Sequence, residues 1–115
     1  MGDTLEITKS LVGDVAVLAV AGDLDVNCLS LLRDEMEDAR EEGHANVVLD
    51  LSGTEYVTST AVGLVVKQWK ELRDHGGDLK LCGVSPFIRK TLAMLGVERI
   101  VEIHATPEEA AASCE

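Results

Sequence analysis

The chain is predicted to be a single α/β domain with a mainly parallel sheet, on three observations. Short β-rich or apolar runs alternate with amphipathic helical stretches from Asn27 onward. A Gly13-Asp14 pair separates the first two runs as a hairpin turn would, adding antiparallel character at one end. No linker, repeat or low-complexity segment interrupts the 115 residues, a length that fits one domain. Strands alternating with helices imply parallel pairing through right-handed crossovers.

Each element has its own warrant. Leu5-Glu6-Ile7-Thr8 alternates apolar and polar, and Val15 to Val20 is β-rich, so the two form the opening hairpin. Gly22-Asp23-Leu24-Asp25 breaks the second strand. From Asn27, Cys28, Leu31, Leu32, Met36 and Ala39 recur at helical spacing, and Gly43 stops that helix. Asn46 to Leu51 is a short, nearly continuous apolar run, the pattern of a buried parallel strand. Ser59 to His75 follows as a helix with Val62, Val65, Val66, Trp69 and Leu72 inward, and Gly76-Gly77 ends it. Asp78 to Gly83 is the next strand. Ser85-Pro86 is an N-cap followed by proline at the first helical position, with Ile88, Leu92 and Leu95 as that helix's buried stripe. Arg99 to Ile103 is predicted as the last strand, and Thr106-Pro107-Glu108-Glu109 as a capping box opening a terminal helix. The expected order is β-β-α-β-α-β-α-β-α.

Composition excludes several classes of partner. A formal net charge of −11 argues against nucleic acid and anionic membrane, both polyanions that select Lys and Arg. It favours solubility and fast association with a basic protein face. No run approaches the roughly 18 apolar residues of a membrane span. The start, MGDTLEITKS, has neither a signal-peptide pattern nor the Ser/Thr of a myristoylation site. Only three aromatic residues occur, so the core must be aliphatic. The cysteines at 28, 82 and 114 are odd in number and lack CxxC spacing, which indicates neither a disulfide framework nor a zinc site. Cys28 and Cys82 are expected to be small core residues. His44, His75 and His104 are isolated, and no metal or other cofactor is implied. A reducing cytoplasm is the expected compartment.

Enzyme templates find no purchase. There is no GxxxxGK[ST] loop, no GxGxxG and no G-x-S-x-G elbow. The carboxylates of DEMEDAREE read as a solvated helix flank. Asp50, at the end of a central strand, suggests a phospho-accepting receiver domain. The acid pair after the first strand and the lysine near the last one are missing, and the opening hairpin contradicts a βαβ start.

The segment Val48 to Gly63, VLDLSGTEYVTSTAVG, resembles the signature of the STAS domain (sulphate transporter and anti-sigma factor antagonist). Asp50-Leu51-Ser52 matches its D-L-S, Tyr56-Val57 its aromatic-apolar pair, Ser59-Thr60 its hydroxyl pair and Val62-Gly63 its apolar-Gly ending. Gly22-Asp23-Leu24-Asp25 looks like the family's G-E-L-D turn, and Gly76-Gly77, Leu81 to Pro86 and Leu95-Gly96-Val97 extend the likeness over nearly the whole chain. The resemblance implies one STAS-like domain over residues 1–115, in the length range of a stand-alone antagonist. It implies a non-catalytic protein that binds an anti-sigma factor which is also a serine kinase, so releasing a sigma factor. The kinase would phosphorylate Ser59, ending the binding, and a serine phosphatase would reset the switch.

Residue by residue, the resemblance marks Ser59 as the phosphorylation site, with Thr60 and Thr58 as alternatives. It marks Asp23, Asp25, Thr58, Ser59, Thr60 and Ala61 as partner-binding. Two positions depart from the pattern: Thr58 stands where the family has aspartate, and Ala61 where it has glycine. A threonine cannot carry the aspartate's charge, and Ala61 adds a methyl where close approach of a partner is expected. An ordinary helix N-cap is the competing reading of Ser59. Asp23 and Asp25 should lie near the Ser59 end of the sheet. Phe87 and Met94 fall off the buried stripe of their helix, as partly covered apolar residues or as an extension of the docking surface. The second functional reading is a STAS scaffold in a signalling assembly, or the soluble subunit of a membrane transport complex.

Overall fold

The computed structural model describes residues 5–25 and 28–114. The helix start expected at Asn27 lies outside them. Strands β1 (Glu6–Val12) and β2 (Val15–Ala21) form the hairpin, Val12 facing Val15 across the Gly13-Asp14 turn. Gly13 has φ 62° and, among the described residues, no non-glycine residue has positive φ, which fits a type II′ turn with glycine first. Helix α1 (Leu29–Glu41), strand β3 (Asn46–Gly53), helix α2 (Ser59–Asp74), strand β4 (Asp78–Cys82), helix α3 (Pro86–Met94), strand β5 (Ile103–His104) and helix α4 (Pro107–Ala112) follow. The predicted element order holds, and the sheet runs β1-β2-β3-β4-β5, antiparallel at the first pair and parallel thereafter.

Because spatial order equals chain order, right-handed crossovers put α1, α2 and α3 on one face of the sheet. The alternation along the strands agrees. Ala16, Leu18, Val20, Val47, Leu49, Leu51, Leu79 and Leu81 pack against Leu32, Met36, Val62, Val65, Ile88 and Leu92. The other face carries Val17, Val48 and Cys82 and is covered only in part, by Ala110 and Ala111 of α4. A strand order that never reverses also has no topological switch point, the crevice in which open α/β sheets usually hold nucleotides.

Local expectations are modified in five places. The last strand is not Arg99 to Ile103. Val97 and Val101 are both buried and four apart, so Val97–Arg99 forms a 3-10 turn, and only Ile103–His104 reach β4. Leu95 is exposed because it lies past the last residue of α3, and Leu31 because the inner stripe of α1 is Leu32, Met36 and Ala39. Gly83 leaves the strand with φ 66°. A Cβ there would meet Asp50 Oδ1 and Ser52 N at 2.9 Å, so only glycine lets the chain pass. In α2, Val66 and Trp69 are half-buried, while Gln68 is fully buried and accepts a hydrogen bond from Arg40 Nη1 at 3.0 Å.

Candidate functional site

Two loops close against each other at the end of the sheet where β2 and β3 finish. Gly22 N donates to Gly53 O at 3.0 Å and Leu24 N to Tyr56 O at 2.9 Å; Thr58 N donates to Leu24 O at 3.0 Å. Thr54, buried, ties the corner by donating its hydroxyl to Val20 O at 3.2 Å. Leu24 thus pairs with Val57 as one rung of parallel sheet, and its side chain is buried. The residues on either side of it, Asp23 and Asp25, are therefore brought beside the start of α2, as expected from their place after the second strand. Asp23 is exposed and Asp25 half-buried.

The three hydroxyls divide into different roles. Thr58, in extended backbone at φ −92° and ψ 161°, is the N-cap: its Oγ1 accepts from Ala61 N at 3.1 Å. Ser59 and Thr60, the first two residues of α2, are exposed. Of the first-turn amides, Thr58 donates to Leu24 and Ala61 to the Thr58 hydroxyl. Those of Ser59 and Thr60 are the ones left open to an outside acceptor. No acidic residue sits in this turn, so the positive end of the helix dipole is not neutralised from within.

Ala61 corrects an expectation. It is 0% exposed and packs with Leu24, Leu51, Val57 and Ile88 beneath α2, so its methyl cannot meet a partner. The exposed small residue is Gly63 instead, one turn beyond Ser59 on the same helix face. A Cβ built on Gly63 would meet nothing within 4 Å. Glycine inside a helix costs about 0.5–1 kcal/mol relative to alanine, and nothing in this chain's own packing requires it.

Elsewhere, several titratable groups are engaged structurally. Asp50 Oδ1 accepts from Ser52 N at 3.0 Å. Burial first, and then the Asp50 carboxylate, push the Cys82 thiol up to about 12, which makes it an inert core residue. Lys80, 3% exposed, donates to Glu102 at 2.7 Å and lies 3.5 Å from Asp78. Burial opposes its charge, but those carboxylates outweigh it and leave its pKa above the ordinary lysine value. The hydrogen bond from Lys80, then that to His104, holds the Glu102 carboxyl below its usual range. Ser113 and Glu102 both meet His104 at Nε2, the same ring atom, so they do not form a nucleophile–base–acid relay.

A groove of about 330 Å³ opens at the far end of α2, lined by Arg40, His44, Glu71 and His75, with Arg40 already committed to Gln68 and Glu71. Among the described residues there is no cluster of three His, Cys, Asp or Glu side chains placed to hold a metal, and no helix long and apolar enough to cross a membrane.

The STAS domain model matches residues 6–110. The chain belongs to the STAS family. The anti-sigma-B factor antagonist of Bacillus subtilis is 30% identical over 89 residues, 77% of this chain and 81% of that protein. The crystal structure of an anti-sigma factor antagonist from Mycobacterium paratuberculosis superposes with a TM-score of 0.89 at 17% identity, covering 99% of this chain and 97% of that one. The Bacillus cell fate determinant SpoIIAA, solved in its phosphorylated form, gives a TM-score of 0.73 at 23% identity over 96% and 100% of the two chains. At these identities the two structures establish the shared fold. In this STAS domain, the motif of Asp50 to Gly63 is thus one physical unit: a strand end, a clamped loop and a helix start.

Proposed function

We propose that the protein is an anti-sigma factor antagonist, a cytoplasmic binding module rather than an enzyme, which docks through the start of α2. Its partner is an anti-sigma factor with serine-kinase activity, phosphorylation of Ser59 ends the complex, and a serine phosphatase restores it. The observation that carries this reading is the division of labour among the hydroxyls. Thr58 already caps the helix, so Ser59 is exposed in the first turn without serving the fold. The antagonist named among the relatives at 30% identity supports the partner class.

The physics of such a switch is local. A phosphate on Ser59 brings about −1.5 to −2 charges and three acceptor oxygens. The open amides of Ser59 and Thr60 and the helix dipole receive it without unfolding α2. The SpoIIAA structure is an example of this fold in a phosphorylated protein. At a packed interface the same phosphate must be desolvated, next to the acidic Asp23-Leu24-Asp25 turn. A hundredfold loss of affinity requires only about 2.7 kcal/mol, so no conformational change is needed.

The test is incubation with each purified anti-sigma factor kinase of the source organism and ATP, followed by mass spectrometry of the intact protein and its peptides. One added phosphate on Ser59, with Thr60 and Thr58 unmodified, is the expected result. Absence of modification at all three removes the switch. In that case the loss of the acidic side chain at position 58 favours a constitutive scaffold or a transporter subunit, and copurification with a transport ATPase would establish the latter.

A further inference from the structure

The sheet ends in two very different edges. At one, β5 is only two residues long, Ile103–His104, too short to template a further strand. At the other, β1 runs for seven residues, Glu6–Val12, in unbroken register with β2. It contains neither the proline nor the bulge that commonly keeps an edge unpaired. Its single lysine, Lys9, is held by Glu42 of the same chain.

The hairpin turn fixes which backbone groups this edge presents. Val12 faces Val15 across a two-residue turn, and residues paired in that way exchange hydrogen bonds. Alternation then directs the N–H and C=O of Glu6, Thr8, Ser10 and Val12 toward β2, and those of Ile7, Lys9 and Leu11 outward. Among the described residues, no backbone group outside the hairpin bonds to those three. Their side chains share the helix-bearing face with Val20, Leu18 and Ala16, opposite which they lie. Ile7 is half-buried against the core, while Leu11 is 57% exposed.

The strand is self-complementary about Lys9. A two-fold axis perpendicular to the sheet lays a second β1 antiparallel to the first, with Ile7 opposite Leu11, Thr8 opposite Ser10 and Lys9 opposite itself. The outward N–H and C=O groups of all three residues then find partners, and an isoleucine covers Leu11. Hydroxyl faces hydroxyl between Thr8 and Ser10, a favourable cross-strand pair. Two bare lysines on the axis would repel, but each brings its own Glu42, so opposite charges alternate there. The wider charge pattern agrees. The chain carries −11, yet Leu5 to Val12 holds one Glu and one Lys, and Val15 to Ala21 holds no charge. The two strands are a neutral part of an acidic surface, where a second copy meets little repulsion.

We propose that the protein forms a dimer through β1, joining two five-stranded sheets into one of ten strands. Glu6, the first residue of β1, is level with Ala21 at the Ser59 end of the sheet. Antiparallel pairing therefore points the two Ser59 ends in opposite directions and leaves both open. The dimer stands independently of the antagonist reading, and if that reading holds it offers two docking ends on one particle.

The experiment is sedimentation equilibrium of the full chain over a wide concentration series, at a salt concentration that screens repulsion between two acidic molecules. The mass should rise from 12.3 kDa toward twice that value. Leu11→Lys should weaken the dimer at least tenfold, because a charge replaces the apolar contact at the edge. Phe87→Ala, which removes a ring 52% exposed on α3, should change it less than threefold. Register is read by cysteine substitution. Lys9→Cys places two thiols in a hydrogen-bonded pair with Cα atoms about 5.5 Å apart, within disulfide range. Oxidised glutathione should therefore link Lys9→Cys into covalent dimers. Thr8→Cys and Ser10→Cys, each two residues out of step with its own copy, should link far less, as should wild type with its three cysteines. A monomer at every concentration overturns the proposal and assigns the edge to a strand of another protein. A dimer that Leu11→Lys leaves intact, or one linked as readily through residue 8 or 10 as through residue 9, overturns it too.

Discussion

Helices α2 and α3 begin in the same way and end up doing different things. In α3, Ser85 Oγ accepts from Ile88 N at 3.2 Å, proline follows, and the one hydroxyl is fully accounted for by the cap. In α2, Thr58 makes the equivalent bond to Ala61 N, and two further hydroxyls follow it into the exposed first turn. Capping therefore explains one hydroxyl at each helix and leaves Ser59 and Thr60 in excess at α2 alone. Ser59 and Thr60 are thus hydroxyls that the cap of α2 does not use.

The difference can be broken most directly at Ser59. Ser59→Asp should weaken binding of the anti-sigma factor at least a hundredfold, about 2.7 kcal/mol, whereas Ser59→Ala should lose less than tenfold. Comparable affinities for the two variants, measured by titration, would mean that charge at this position does not act as the switch. Next in size is the cap itself. Thr58→Ala and Ser85→Ala should each lower the unfolding free energy by about 1 kcal/mol in urea melts. Ser59→Ala should stay within about 0.5 kcal/mol of wild type, as a surface change does. If Ser59→Ala were the costlier substitution, the assignment of Thr58 as the cap would be wrong.

The smallest effect concerns Gly63. Because a Cβ there meets nothing in the chain, Gly63→Ala should stabilise the fold by about 0.5–1 kcal/mol. If the partner approaches the face shared with Ser59, the same variant should bind the anti-sigma factor at least fivefold less tightly. A gain in stability with unchanged affinity would place the interface off that face.

Much of this was legible without coordinates, and the reasons are local. The stripe of Ile88 and Leu92, the Ser85-Pro86 start and the Thr106 cap to Glu109 depend on residues within one turn of each other. So does the apolar run of β3, whose flanking helices follow from chain order. The STAS motif was likewise a continuous segment, and the family follows from it. What escaped were outcomes of long-range packing. Gln68 is buried because Arg40 of another helix reaches it, and Lys80 because Glu102, 22 residues on, closes over it. No periodicity announces either partner.

Sequence alone therefore determined the fold class, the strand and helix order, the family and the short list of hydroxyls, since each is written in neighbouring residues. Only the tertiary structure decided which hydroxyl caps α2, that Ala61 lies beneath the helix, that Gly63 does not, and that Tyr56 meets Phe87 across 31 positions of chain. Those choices depend on how two loops lock around Leu24 and on which face of each helix the sheet takes, and burial of that kind is a property of the assembled layers rather than of any one segment.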